Sequence, residues 1–208
     1  SAMQQIGIKE SNASKAGFIT ALYVIFVPII SIIFFKMKEG IRLWISVVLS
    51  VAGLFLLCIH DGFNLEYGDA ILLFCAFLFA LQIITVAHFV KKVDVLDLSI
   101  FQFLVVAVLS SVVMIVVEKP SADMILKAMP ALLFVGVFSG ACGYTLQNVG
   151  QQYVRPSIAS LLMSLESVFS AIFAWIILGE MLGSREMLGA ILMFSAIILA
   201  QLPIKGRE

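Results

Sequence analysis

Seven stretches of about 18 to 25 residues run through this chain almost without charge, each parted from the next by a short polar or charged cluster. Stretches of that length match the hydrocarbon thickness of a bilayer when helical. In lipid only helices and closed barrels satisfy every backbone donor and acceptor internally, and these runs lack the period-two alternation of a barrel strand. The pattern predicts helices over residues 13–35, 41–59, 68–90, 97–117, 128–150, 156–178 and 184–203, with Pro130 and Pro156 in first helical turns, where proline is tolerated. Residues 1–8 read as the tail of a further helix. Connections of about five to ten residues, among them KMKEG at 36–40 and EKPSADM at 118–124, make successive helices antiparallel neighbours and leave no room for a soluble domain. The expected fold class is therefore an all-α integral membrane protein, a polytopic helical bundle in contact with membrane lipid.

Composition excludes several function classes. Hydrophobic residues make up 62% of the chain and charged residues 12%, against roughly 25% charged in a soluble domain. The 13 basic and 13 acidic residues cancel, so no basic patch recommends a nucleic-acid partner. Cys58, Cys75 and Cys142 lie inside apolar runs with no paired spacing, which argues against a metal site or a disulfide framework. No phosphate-binding loop is present: GVFSGACG has neither a preceding strand nor a following Lys-Ser/Thr, and no cofactor is expected. Its Gly136, Gly140 and Gly143 lie four and three residues apart, a small-residue face suited to close helix contact. Lys36, Lys38, Arg42, Lys91, Lys92, Arg155, Lys205 and Arg207 fall on the same side of the membrane as the C-terminus, against Lys9, Lys15, Lys119, Lys127 and Arg185 on the other. That bias expects a multi-pass protein of the cytoplasmic membrane with its C-terminus in the cytoplasm.

The chain also matches itself. An offset of 143 residues aligns Gln4–Leu54 with Gln147–Ile197 without a gap, pairing Gly7 with Gly150, Ser14 with Ser157, Gly40 with Gly183 and Arg42 with Arg185 among others. Between Gly40 and Gly183 the chain crosses the membrane an odd number of times, so the two copies take opposite orientations, as in inverted-repeat transporters. The expected organisation is residues 1–60 as the later part of a first copy and 61–208 as a second, complete copy. The offset places the start of the first copy roughly 75 residues before Ser1, so a ten-helix protein lacking its first two to three helices here is expected, with about seven complete.

The segments NASKAGFITALYVIFVPIISIIFFKMKEG (12–40), RLWISVVLSVAGLFLL (42–57) and RPSIASLLMSLESVFSAIFAWIILGEMLGSREMLGAILM (155–193) resemble the EamA-like branch of the drug/metabolite transporter superfamily. The resemblance covers essentially the whole chain. It implies ten helices in two five-helix repeats, and export of metabolites, amino acids or toxic compounds through a central cavity by alternating access without ATP. It names no substrate. The second copy departs from the family pattern, reading Leu165-Glu166-Ser167-Val168 where Leu-Glu-Pro-Val is usual, so a kink is less assured there. The first copy keeps Pro28, which removes a backbone hydrogen bond and predicts a bend.

Polar groups inside apolar runs are the candidate site residues. Glu166 falls near the middle of its span, where an acidic group costs about 2.5–3.5 kcal/mol. It must face a cavity, pair or stay protonated, and it is the proton-coupling candidate; a structural carboxyl bonded to neighbouring helices is the alternative. Gln82, Gln102, Gln147 and Asn148 suit a polar cargo but also serve as interhelical glue, as do Gln4 and Gln5. Tyr23, which the repeat aligns with Glu166, and Tyr144 offer aromatic walls, while Trp175 and His88 fit interfacial positions and the His60–Asp61 pair reads as loop. An intramembrane enzyme would need paired acids, a nucleophile with its base or metal ligands at depth, and none is legible. The expected function is a secondary transporter of a small molecule, with a non-transporting membrane scaffold or a partial subunit needing its missing N-terminal helices as the alternative; protons and either a second copy in a homodimer or the missing N-terminal segment are the expected partners.

Overall fold

The computed structural model describes residues 13–59, 67–118, 122–178 and 183–202, and every regular element among them is helical. The elements are α1 (Ala13–Ala21), α2 (Tyr23–Phe35), α3 (Ile41–Cys58), α4 (Tyr67–Phe89), α5 (Val95–Val113), α6 (Ala122–Phe134), α7 (Tyr144–Tyr153), α8 (Pro156–Leu178) and α9 (Ser184–Gln201). A π-helical turn, Met114–Glu118, extends α5, and a π-helical stretch, Val135–Gly143, joins α6 to α7. These form seven helices long and apolar enough to cross a membrane, from Lys15–Phe35 to Ser184–Gln201. The expected all-α polytopic bundle is what folds. Gln4, Gln5, residues 1–8, the His60–Asp61 pair, Lys9, Lys119, Lys205 and Arg207 lie outside the described residues.

Local chemistry sets the boundaries. Asp94 caps α5 by accepting from Leu96 N–H at 2.8 Å. Glu186 reaches back one turn to the Gly183 N–H at 2.7 Å, closing the start of α9. Pro156 opens α8, where its missing N–H costs nothing. The first span breaks at Leu22, between α1 and α2. Two features weaken the helix there: Thr20 Oγ1 donates back to the carbonyls of Ala16 (2.9 Å) and Gly17 (3.1 Å), and Pro28 withdraws one donor from the following turns.

Two expectations change. Pro130 sits inside α6 and not in its first turn, because the helix begins earlier, with Asp123 in its first turn and an exposed Asp123–Lys127 pair at 2.8 Å bridging it. Among the described residues the Gly136/Gly140/Gly143 face makes no helix contact. The π form alters the angular spacing of those positions, and a Cβ added at any of them meets no atom of a neighbouring helix.

The close approach lies elsewhere. The chain divides into two compact units, one holding the residues up to Ile84 with those from Arg155 onward, the other Thr85–Val154. In the first, α3 and α9 form the most extensive helix pair. They touch backbone to backbone: a Cβ on Gly53 would stand 2.6 Å from the Gly189 carbonyl oxygen, and one on Gly189 would stand 2.6 Å from the Gly53 carbonyl oxygen. Helices in lipid gain little from hydrophobic association, so small residues that admit tight van der Waals contact decide which faces meet. Around this crossing, Ala16, Phe18 and Ile19 of α1, Leu54 and Leu57 of α3, Leu72 of α4, Val168 of α8 and Met193 of α9 form one buried cluster. Val24, Leu43, Val47, Leu161 and Ile197 form a second.

In the second unit, α5 packs against α7, and Val86, Val90 and Val95 form a small core. Leu104, Leu109, Leu126, Phe134 and Phe138 stay exposed, as lipid-facing side chains do.

Replacing Gly189 by Ala should cost about 1–3 kcal/mol through overpacking against backbone that cannot yield, whereas Gly136→Ala, in open space, should stay within about 0.5 kcal/mol. Unfolding midpoints of the purified protein in detergent test this; a larger loss at Gly136 would refute the assigned crossing.

Candidate functional site

The first unit carries Tyr23 on α2, Gln82 on α4 and Glu166 on α8, with α2 packed against both of the others. Val27 and Ile30 of α2 and Ala80, Ile83 and Ile84 of α4 form a buried cluster, lined by Tyr23, Phe26 and Leu81 and by Met163 of α8. Edge-to-face contacts, Tyr23 with Phe79 at 6.4 Å and Phe26 with Phe77 at 6.0 Å, fix α2 against α4. Glu166 is the eleventh of the 23 residues of α8, close to the middle of the span. Its carboxyl is exposed on the unit's surface and near enough to the half-buried Tyr23 for the two to interact electrostatically. Gln82 is half-buried on α4, one turn beyond Phe79.

Satisfied polar contacts frame this region at both ends of the first span. Lys15 Nζ, 13% exposed, lies 2.7 Å from Asp69 Oδ2, whose side chain is 4% exposed, tying the start of α1 to the start of α4. Beyond the other end of that span, buried Ser157 in the first turn of α8 donates to Glu39 Oε1 at 2.7 Å. Between them, Ser164 gives its proton to the Leu161 carbonyl (2.7 Å), so Ser50 of α3 is the donor in the 3.3 Å Ser50–Ser164 contact.

The second unit carries a different arrangement. Ser99 of α5 donates to the Val95 carbonyl at 2.8 Å, which spends its only proton. The 2.9 Å contact from Asn148 of α7 must then present an amide N–H to Ser99 Oγ, and the second N–H of that amide reaches Gln102 Oε1 at 3.0 Å. The network thereby fixes which way Asn148 faces. Gln147 lies beside it, and exposed Tyr144 stands one turn away at the start of α7. Gln152 Nε2 donates to the Val90 carbonyl at 3.2 Å. No group of three or more His, Cys, Asp or Glu side chains with metal-binding geometry occurs among the described residues.

A membrane bundle with uncharged amides and one central carboxylate can be set against known proteins. The EamA-like transporter family profile matches residues 2–59 and 66–202. The chain belongs to the EamA-like transporter family. An uncharacterized transporter of Archaeoglobus fulgidus is 31% identical over 201 residues, covering 97% of this chain and 64% of that protein. Another, from Methanothermobacter thermautotrophicus, is 23% identical over 199 residues, covering 93% and 58%. This EamA-like chain thus spans about three fifths of the length of those relatives. A solved crystal structure shares the fold with a TM-score of 0.81 at 16% identity, covering 96% of this chain and 70% of that one.

The fold of this EamA-like chain sorts the sequence candidates into two groups. Tyr23 and Glu166 come together, with Gln82 on the adjoining helix; Gln102 and Asn148 bond directly, with Gln147 adjacent and Tyr144 outside the network. In the second group, Asn148 lies five residues before the last residue of its helix, Tyr153, and Gln102 is the eighth residue of α5. Trp175 is exposed near the end of α8, and His88 is exposed with Lys92 Nζ 2.8 Å from its Nε2, as interfacial residues would be. Sequence reasoning missed Asp69, Glu39 and Ser157 as partners, and missed Ser99 and Gln151 altogether. Only the one-face spacing of Gln147, Asn148, Gln151 and Gln152 gave a signal.

Asp69→Asn removes the carboxylate from the buried Lys15–Asp69 pair and should destabilise the protein by about 3 kcal/mol. The double variant Lys15→Met/Asp69→Asn should recover more than half of that loss. Detergent unfolding of the four species of the cycle measures it, and additive losses would show that the pair is not coupled.

Proposed function

We propose that the protein is a secondary transporter that moves a small metabolite, amino acid or drug across the cytoplasmic membrane by alternating access, with export as its direction and protons as the coupling ion. The observation that carries this reading is Glu166 in the middle of α8, within electrostatic reach of Tyr23. A carboxylate at that depth is costly in lipid and is kept where it meets water, cargo or a proton. The relatives named as transporters favour the same class.

The residues 1–60 and 61–208 are read as two copies of one inverted unit. Ser46, Ser50, Gly53 and Leu54 of α3 correspond at the 143-residue offset to Gly189, Met193, Ala196 and Ile197 of α9, and all eight are buried. Equivalent helices burying equivalent positions support common descent of the copies. A cytoplasmic C-terminus is supported by the distribution of basic residues: exposed Lys36, Lys38, Arg42, Lys91, Lys92 and Arg155 lie on its side of the membrane, against Lys15, Lys127 and Arg185 on the other.

The intact protein in proteoliposomes, offered a panel of amino acids and cationic drugs with and without a proton gradient, should accumulate at least one member in a gradient-dependent way. Glu166→Gln should abolish the gradient dependence while the protein remains folded. Gradient dependence unchanged in that variant would remove Glu166 from coupling, and no transport by folded wild type would favour a scaffold role.

A further inference from the structure

Within the second unit, several buried polar atoms on α7 have no hydrogen-bond partner among the described residues. Asn148 is 0% exposed and Gln151 2% exposed. Asn148 Oδ1, both Gln151 amide atoms and Gln147 Nε2 are unpartnered. The arrangement is not loosely held. Both N–H groups of Asn148 are committed to Ser99 and Gln102, so its carbonyl oxygen is held as an acceptor that cannot turn away to find a donor. Gln151 follows three residues later, on the same side of the helix, with a donor and an acceptor both unspent. A buried polar network left half satisfied is worse for a fold than an apolar core of the same volume, so these orphans need a partner that the second unit's own groups do not provide.

We propose that Gln147, Asn148 and Gln151 form a recognition site for an uncharged group that both donates and accepts hydrogen bonds, of the carboxamide or urea class. The proposal rests on the transport reading in that it names the head group of the cargo. Asn148 Oδ1 and Gln151 Oε1 accept from the ligand N–H groups, while the Gln147 and Gln151 amide nitrogens donate to its carbonyl. Ser99 and Gln102 are positioning residues that orient Asn148 without touching the ligand. Discrimination follows from the absence of charge. Every side chain in the cluster is neutral, so a carboxylate or an amidinium buried there would lose its hydration with no counter-ion in return, whereas a carboxamide exchanges its water for matched partners.

Benzamide, benzoate and benzamidine have nearly the same shape and carry neutral, negative and positive heads at neutral pH, so they isolate this term. With the purified intact protein in detergent, benzamide should raise the thermal midpoint saturably, with a half-saturating concentration at least tenfold below those of the two charged analogues. Gln151→Leu should remove the shift. Gln151→Glu, which keeps the shape and adds a negative charge, should reverse the preference in favour of benzamidine, an outcome that a merely structural glutamine would not produce. The proposal is overturned if benzamide gives no shift and the orphans hold only water, if a charged analogue binds as well or better, or if Gln151→Leu leaves the benzamide shift intact. Gradient-driven uptake of another panel member without benzamide binding would sink this assignment and leave the transport reading standing. Benzamide binding with no transport of any panel member would do the reverse.

Discussion

The crossing of α3 and α9 at Gly53 and Gly189 organises the first unit. Lipid solvates an apolar helix surface about as well as another helix does, so only faces that fit more closely than lipid can pack hold together. Two glycines opposite one another remove the side chains that would keep the backbones apart. Once that pair is fixed, the flanking buried residues, Leu54 and Leu57 on one helix and Met193 and Ile197 on the other, take their places against α1, α2 and α8. Tyr23 and Glu166 come within electrostatic reach because the helices that carry them pack on one another and on this pair.

Polar groups inside the apolar helices resolve in two ways. Lys15 with Asp69, Ser157 with Glu39 and Ser50 with Ser164 are matched pairs, each closing a demand for hydrogen bonding within the fold and tying helices distant in sequence. The α7 amides are instead half matched, with Asn148 spending its donors on Ser99 and Gln102 and keeping its acceptor. Matched pairs contribute rigidity; the unmatched amide atoms are the ones the proposed recognition site uses. Glu166 belongs to neither set, being exposed and within electrostatic reach of a phenol.

Helix punctuation shows how local rules can be overruled. Pro130 signals a helix start, yet α6 begins ahead of it because an acidic first turn and the Asp123–Lys127 pair extend the helix N-terminally. The glycines of GVFSGACG have the spacing of a packing face in an α-helix, but the π form of Val135–Gly143 removes that spacing. Proline and glycine report what the backbone tolerates at a position, and the conformation of the surrounding turns decides the use made of it.

Span number, helical class and approximate boundaries were legible in the sequence because a bilayer imposes one length and one backbone solution on every crossing segment, and each segment meets that requirement by itself. The place of Glu166 within its span was legible for the same reason: a charge in an apolar run stands out without reference to anything distant. Which small residues touch was not legible, since Gly53 and Gly189 look no different from Gly136 and Gly140 until a partner backbone lies opposite them. Nor was the division of labour among the amides. Asn148 acts as glue through its nitrogen and offers its oxygen unpaired, a distinction set by Ser99, whose proton had already gone to its own helix. Hydrogen bonds and close contacts are relations between residues far apart in the chain, so only the tertiary structure could assign them.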